Sequence, residues 1–436
     1  MQQFSMKIFC SGIGGIGLSA YAALQRTAGH DVAGSDRSDS PLVDDLRSQG
    51  ISVHLSQDGS GVSHAVELFV YSEAVPADAP ERLRALELGI RSLSYFHALG
   101  ELAAPYDVIA VCGTHGKSST TAMAARLLVQ AGLDPTVVVG TKAAELGGRN
   151  WRRGKGKIFL VEACEYRRNF QHLHPLIALL TNVDGDHFDA FKDRVEYQKA
   201  FEEFLHVETP RRDASTIICH GKDPDSRRIA ELSGRTVVDA DGQPLIPLQT
   251  PGLHMRQNAQ LVLALAGVLK IDLEEAKDIL SGFSGTWRRM EVKGVWGDDV
   301  VVVDDYAHHP VEIRATLAAM RERCPDRRIV CAFQPHTHDR TIKFYDDFLS
   351  AFTDANVVIV PNVFGARRDV DASETVDVDT FVTDMAKGSN VEALNGRSLQ
   401  ETRIMLEREV LKPHDLLVCM GAGDITTLAS AMAASS

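Results

Sequence analysis

Two passages of this chain read as strand, glycine turn, helix. The first is KIFCSGIGGIGLSAYAALQ, with Gly12-Ile13-Gly14-Gly15-Ile16-Gly17 at the turn. The second is VIAVCGTHGKSSTTAMAARLLVQAG, with Gly113-Thr114-His115-Gly116-Lys117-Ser118 at the turn. A strand that feeds a helix through a tight glycine turn commits the chain to βα units. Such units return to the same sheet by right-handed crossovers and build parallel sheets. Two of them, far apart in one chain, predict at least two such sheets.

The rest of the sequence agrees. Short β-branched runs alternate with helical patterns over most of the 436 residues, which indicates α/β layers. A chain of this length is expected to hold about three domains. Three blocks emerge: residues 1–105, 106–285 and 286–436. The stretch 282–285, GFSG, reads as a hinge before the third block. The third block carries apolar runs at 300–303, 329–333, 357–360 and 416–420. No stretch approaches the ~20 apolar residues of a membrane helix. The opening residues read as a strand and not as a secretory signal. The seven cysteines contain no CxxC pair, which favours reduced thiols and a cytoplasmic setting.

The formal net charge is −13, so nucleic acid and anionic membranes are repelled and an anionic ligand needs a focused pocket. The turns supply such pockets. Gly12, Gly14, Gly15, Ile16 and Gly17 fit GxGxxG, and a strand at 30–34 runs into Ser35-Asp36, where an acid meets a ribose. This predicts a nucleotide-diphosphate site but does not say which nucleotide. An NAD-dependent oxidoreductase would share it. The second turn is a phosphate-loop variant, since Val111 breaks the strict GxxxxGK[ST] spacing. Its backbone N–H groups cradle phosphates, Lys117 offsets their charge, and the Ser118 hydroxyl reaches a metal ion. A hydride-transfer enzyme leaves this second loop unexplained.

Strand ends carry the remaining polar clusters. Residues 158–161 lead to Glu162-Ala163-Cys164-Glu165, and 177–180 lead to Thr181-Asn182-Val183-Asp184-Gly185-Asp186-His187. In a parallel sheet these ends share one edge, so Lys117, Ser118, Glu162 and His187 should converge. Glu162 suits Mg²⁺, with Mn²⁺ as an alternative. The third block repeats the pattern at 304–310 (DDYAHHP), 334–340 (QPHTHDR), 362–368 and 421–424 (GAGD). A zinc site from His308, His309, His336 and His338 is a minor alternative there. Arg288-Arg289, just upstream, can set a guanidinium against phosphate.

Taken together, these motifs resemble the Mur ligase family over nearly the whole chain. The matching stretches are GIGGIGLSA, GTHGKSSTT, EACE, TNVDGDHFD, the arginine pair, DDYAHHP, FQPH with Arg340, and GAGDI. The resemblance implies a Rossmann-like N-terminal domain, a central P-loop-type mononucleotide-binding ATPase domain and a Rossmann-like C-terminal domain. It implies an ATP-dependent ligase of peptidoglycan synthesis that works as a monomer or homodimer. FQPH and GAGDI favour a member that adds L-alanine to the carboxylate of UDP-N-acetylmuramate through an acyl phosphate, over the sister that attaches a tripeptide. The resemblance carries roles onto residues. Gly113, Thr114, His115, Gly116, Lys117, Ser118, Ser119, His254, Asn258, Arg288, Arg289 and Asp305 would bind ATP, with Asp305 at the ribose. Ser118 and Glu162 would hold one metal and His187 a second. His308 and Arg340 would lie near alanine and the reacting carboxylate. Gly12, Gly14, Gly15, Ile16, Gly17, Ser35, Asp36 and Ser72 would hold the UDP-sugar. Closure of the domains over the substrates is expected. Four positions depart from the family pattern: Cys164 and the neighbourhood of Arg167, where acids are usual, Thr337 in place of arginine, and Met255 in place of asparagine.

Overall fold

The computed structural model describes residues 5–187, 190–206, 215–365 and 375–434. Three sheets form, one in each sequence block. The first contains β1 (Lys7–Ser11), β2 (Asp31–Ser35), β3 (Ser52–His54), β4 (Leu68–Tyr71) and β5 (Arg91–Ser94). Their order is β3-β2-β1-β4-β5 and every pairing is parallel. Strand order reverses between β1 and β4, which opens a crevice at their C-terminal ends.

The second sheet contains β6 (Asp107–Cys112), β7 (Thr136–Ala143), β8 (Arg149–Arg152), β9 (Ile158–Glu162), β10 (Ile177–Leu180), β11 (Thr216–Cys219) and β12 (Thr236–Asp239). Its order is β12-β11-β10-β6-β9-β7-β8, with only β8 antiparallel to its neighbour. The third contains β13 (Glu291–Trp296), β14 (Val300–Asp305), β15 (Ile329–Phe333), β16 (Val357–Pro361), β17 (Glu392–Arg397) and β18 (Leu416–Met420). Its order is β13-β14-β18-β15-β16-β17, and β13 is the antiparallel edge. Strands β15, β16 and β18 are buried along their whole length. They are continuous apolar runs because helices cover both faces of a parallel sheet.

The strands expected at 30–34, 108–112, 158–161, 300–303 and 357–360 all form, displaced or extended by one or two residues. The chain divides into two compact units. One holds residues 1–244 and 259–280, and therefore the first two sheets. The other holds 245–258 and 281–436, and therefore the third. In the first unit one apolar core runs from Ile8 and Tyr21 through Tyr95 and Phe170 to Ile229. Stacked rings of His97 and His172, 4.8 Å apart, lie where the helix Tyr95–Ala103 meets the segment Tyr166–His172.

A buried carboxyl closes the edge of the first sheet. Glu81 is 1% exposed and accepts hydrogen bonds from Ser35 Oγ (2.7 Å) and Ser11 Oγ. No lysine or arginine pairs with it among the described residues. Burial therefore pushes its carboxyl above the ordinary range. The folded state keeps a proton that the unfolded chain releases. Its stabilising contribution is complete below the unfolded carboxyl pKa and is lost as pH rises through the raised folded value. Thermal melts from about pH 5 to about pH 8 should show Glu81→Gln gaining on the wild type steadily as pH rises. A gap that does not change with pH would mean that Glu81 ionises in the fold as it does in the unfolded chain.

Candidate active site

Strand order decides what surrounds the second glycine turn. β6 lies between β9 and β10, with Val111 opposite Glu162 and Cys112 opposite Leu180. The loop after β6 thus stands between Glu162 and the 181–187 loop. Gly113 has φ +137°, and a Cβ there would lie 2.0 Å from Thr181 Oγ1, so no other residue fits. Asn182 fastens the loop from the side. Its Oδ1 accepts from the His115 N–H (2.9 Å), its Nδ2 donates to the His115 carbonyl (3.2 Å), and its own carbonyl accepts from the Thr114 N–H (3.0 Å). Thr114 Oγ1 accepts from the Asp184 N–H at 3.0 Å and lies 3.0 Å from the Tyr197 hydroxyl. Gly116, at φ +81°, turns the chain into the helix Lys117–Gln130. The first-turn N–H groups of that helix, at Lys117, Ser118 and Ser119, have no intrahelical acceptor and form an anion site.

Lys117 folds back over this loop. Its Nζ donates to Gly113 O (2.6 Å), Thr114 O (3.0 Å) and Glu165 Oε1 (2.9 Å). Burial alone would lower its pKa, but the Glu165 carboxylate, with Cys164 and Glu162 behind it, raises it above the ordinary lysine value. Glu165 is 1% exposed. The same oxygen accepts from Tyr197 OH (3.4 Å) and faces His187 Nε2 (3.6 Å), while Oε2 is buried without a partner. Ser118 Oγ donates to Glu162 Oε1 (2.9 Å), whose other oxygen accepts from the Gly140 N–H (2.7 Å). The four side chains expected on this edge, Lys117, Ser118, Glu162 and His187, are therefore gathered, though His187 faces Glu165. Sequence reasoning quoted Asn182 and Glu165 within motifs but gave them no role. Tyr197, fully buried on a later helix, left no signal.

A hard divalent cation fits the Ser118–Glu162 pair, which offers adjacent oxygen donors at the loop's mouth. Among the described residues no group of three His, Cys, Asp or Glu side chains is placed to hold a metal ion. Cys164 adds no charge, because burial and Glu165 push its thiol up to about 12.

The first glycine turn differs. Gly12 and Ile13 donate to the Ser35 carbonyl (2.8 and 2.9 Å), Gly14 to Asp36 Oδ2 (2.8 Å) and Gly15 to Gly12 O (3.2 Å). These N–H groups were expected at a diphosphate and are instead bonded within the fold. Asp36, expected at a ribose, caps the turn, and its Oδ1 accepts from Arg37 N–H (2.8 Å). The Ser35 side chain is buried against Glu81. The helix Ile16–Thr27 still presents the first-turn N–H groups of Ile16 and Gly17. Ser72 lies beside Gly12 across the β1–β4 crevice, 3.0 Å from where a Cβ of Gly12 would be.

On the third sheet, two of the side chains expected at the nucleotide are bonded within the fold. Arg288 is 4% exposed, with Nη2 donating to Gly421 O (2.5 Å), Nη1 to Gly423 O (3.3 Å) and Nε facing Asp304 (3.3 Å). It pins the GAGD loop. Asp305 accepts from the N–H groups of Met290 (2.7 Å) and Ala307 (2.8 Å) and from Thr316 Oγ1 (3.2 Å), so it ties the loop after β14. Burial raises its pKa. Arg289 is half-buried over the Tyr306 ring, 3.8 Å from Glu312. His308 Nδ1 lies 3.0 Å from Tyr306 O and 3.3 Å from Glu312, an acid the sequence did not single out. His308 and His336 rings are 5.8 Å apart, whereas His309 packs on Phe344 and His338 accepts from Val376 N–H. Thr337 caps the helix His338–Lys343 by accepting from the N–H of Arg340 (3.4 Å), which is half-buried. His254, beside Arg289, is pushed down to about 4 by burial and that charge. Met255 and Asn258 are buried. Residues 366–368 of the 362–368 cluster, and Phe188 and Asp189 of TNVDGDHFD, lie outside the described residues.

Residues 7–107 match the Mur ligase family catalytic domain, 111–241 the Mur ligase middle domain and 288–423 the Mur ligase glutamate ligase domain. The UDP-N-acetylmuramate–L-alanine ligase of Clostridium tetani is 34% identical, over 97% of each chain. That of Salinibacter ruber is 34% identical, over 95% of this chain and 91% of its own. The solved UDP-N-acetylmuramate–alanine ligase of Thermotoga maritima superposes with a TM-score of 0.80 at 26% identity, over 98% of both chains. The murein peptide ligase of Psychrobacter arcticus shares the fold, with a TM-score of 0.72 at 23% identity over 99% of this chain and 98% of its own. Matched along three successive domains and by relatives of its own length, the chain belongs to the Mur ligase family.

Proposed function

We propose that the chain is an ATP-dependent ligase that joins L-alanine to the carboxylate of UDP-N-acetylmuramate in peptidoglycan precursor synthesis. The observation that carries this reading is the clamped loop 113–118, with Lys117 above it and the Ser118–Glu162 pair at its mouth. The names of the C. tetani, S. ruber and T. maritima relatives supply the substrates. No helix among the described residues is long and apolar enough to cross a membrane.

A carboxylate is a poor electrophile, so the reaction first gives it a leaving group. A carboxylate oxygen attacks the γ-phosphorus of ATP, and ADP departs. The alanine amine then attacks the acyl carbon, loses a proton, and the tetrahedral adduct expels inorganic phosphate. Little covalent work falls to the protein, whose task is positioning and charge neutralisation. The helix N-terminus at 117–119 takes the phosphates, and Lys117 leaves Glu165 to meet them. Ser118 and Glu162 would hold Mg²⁺, which offsets phosphate charge when bound. His187, at the same edge, faces the transferring group. On the third sheet, His308, held by Tyr306 O and Glu312, and Arg340 suit an amino acid's two charged ends.

Phosphate release with ATP, Mg²⁺ and UDP-N-acetylmuramate should require L-alanine and run faster with it than with glycine, L-serine or a tripeptide. Release only with the tripeptide would overturn the alanine reading. Lys117→Ala should lower kcat about 10²-fold or more, because it removes a charge aimed at the transferring phosphoryl. Asn182→Ala should raise KM for ATP about tenfold, as two hydrogen bonds holding the loop are lost. Asn182→Asp should do no better, because a carboxylate cannot donate to the His115 carbonyl.

A further inference from the structure

The segment after Glu165 holds a cation that the scheme above leaves idle. Arg167 and Arg168 both sit in the left-handed region, at φ +50° and +62°. Non-glycine residues pay about 1 kcal/mol or more each for this conformation and keep it only where the surroundings impose it. For Arg168 the surroundings are plain. Its N–H donates to Glu165 O (2.8 Å), and its guanidinium is bound by Glu203, with Glu196 at 3.5 Å. That charge is neutralised against the helix Arg194–His206.

Arg167 is the opposite case. It is exposed and pairs with no carboxylate among the described residues. Its guanidinium carbon lies 5.4 Å from the centroid of the Tyr166 ring. The same ring meets His187 edge-on at 5.1 Å, and His187 faces Glu165, the counter-charge of Lys117. One aromatic ring therefore separates an unspent arginine from the centre where phosphoryl transfer is placed. In a chain of net charge −13 such a cation is a local attractor for an anion. A planar guanidinium on an aromatic face keeps its N–H edge available for bidentate capture of an oxyanion.

We propose that Arg167 binds an oxyanion of the acceptor substrate and helps set its affinity. The proposal rests on the ligase reading above. Two groups of that substrate share the chemistry, the carboxylate that reacts and the diphosphate that does not.

The test compares Arg167→Ala and Arg167→Lys with the wild type by phosphate release and by titration of a fluorescent ATP analogue. Arg167→Ala should raise KM for UDP-N-acetylmuramate about 10- to 100-fold, the range for a lost charge-assisted hydrogen bond. Affinity for the ATP analogue should not change, and lysine should restore part of the loss. Titration with UDP-N-acetylglucosamine, which has the diphosphate but no lactyl carboxylate, then separates the sources. Binding that Arg167→Ala leaves intact assigns the carboxylate, and binding weakened by the same factor assigns the diphosphate. An unchanged KM for the acceptor, or an equal loss of ATP-analogue binding, would overturn the proposal. If the wild type itself releases no phosphate with this acceptor, it is the ligase reading that falls, and the comparison is then made by direct titration of the same sugar nucleotide.

Discussion

Lys117 is an ammonium taken out of water, and everything at the nucleotide loop depends on how that charge is compensated. Burying an unpaired cation costs several kcal/mol, enough to expel it or to neutralise it. Glu165, itself almost wholly buried, prevents both by pairing at 2.9 Å. The pair leaves one carboxylate oxygen without a partner, an unsatisfied acceptor beside the loop 113–118. Such a group is tolerated where the arrangement is meant to change. Lys117, Tyr197 and His187 all face the same oxygen of Glu165, Oε1, so a shift of any one of them changes what holds the carboxylate. Tyr197 also touches Thr114, so the loop and its counter-charge are tied to one buried hydroxyl.

The two glycine turns show how little a turn motif says about what remains available. Both follow a parallel strand and open a helix. In the first, the donors of residues 12–15 are engaged by Ser35, Asp36 and Gly12 itself, so the N–H groups without an acceptor are those at the helix terminus. In the second, the loop is held from outside by Asn182, which leaves the N–H groups of 117–119 for an anion. The difference lies in which neighbour braces the turn. In the first, the brace is an acid at the end of the adjacent strand, a residue that a sequence pattern assigns to a ribose.

This explains how far the sequence could be read. The strands are continuous apolar runs ending in polar clusters, so the three sheets and the gathering of Lys117, Ser118, Glu162 and His187 on one edge were legible. Orientation at a single position was not. Arg288 and Arg289 are equivalent in sequence, but a φ of +55° turns the first inward onto the GAGD loop and leaves the second over Tyr306. Asp305 ends a buried strand, and its bonds from the N–H groups of Met290 and Ala307 are not announced by the DDYAHHP pattern. Asn182, Glu165 and Tyr197 act through partners far along the chain, and no local pattern announces such a partner.

Polar residues at a sheet edge therefore serve two masters. Each loop that leaves a parallel strand must satisfy its own backbone before it can serve a ligand, and Asp, Asn and Ser are the residues that do both. On the third sheet that first demand engages Asp305, Arg288, Gln334 and Thr337, while Arg289, His308, His336 and Arg340 are half-buried. The substitutions that set this chain apart from the family pattern obey the same division. Thr337 gains a capping bond, Met255 gains burial, and Cys164 stays neutral. Of those departures only Arg167 adds a charge that no part of the described fold consumes. A change that satisfies the backbone or the core can drift without touching the chemistry, whereas an exposed, unpaired charge beside the reacting centre alters the field that an anionic substrate enters.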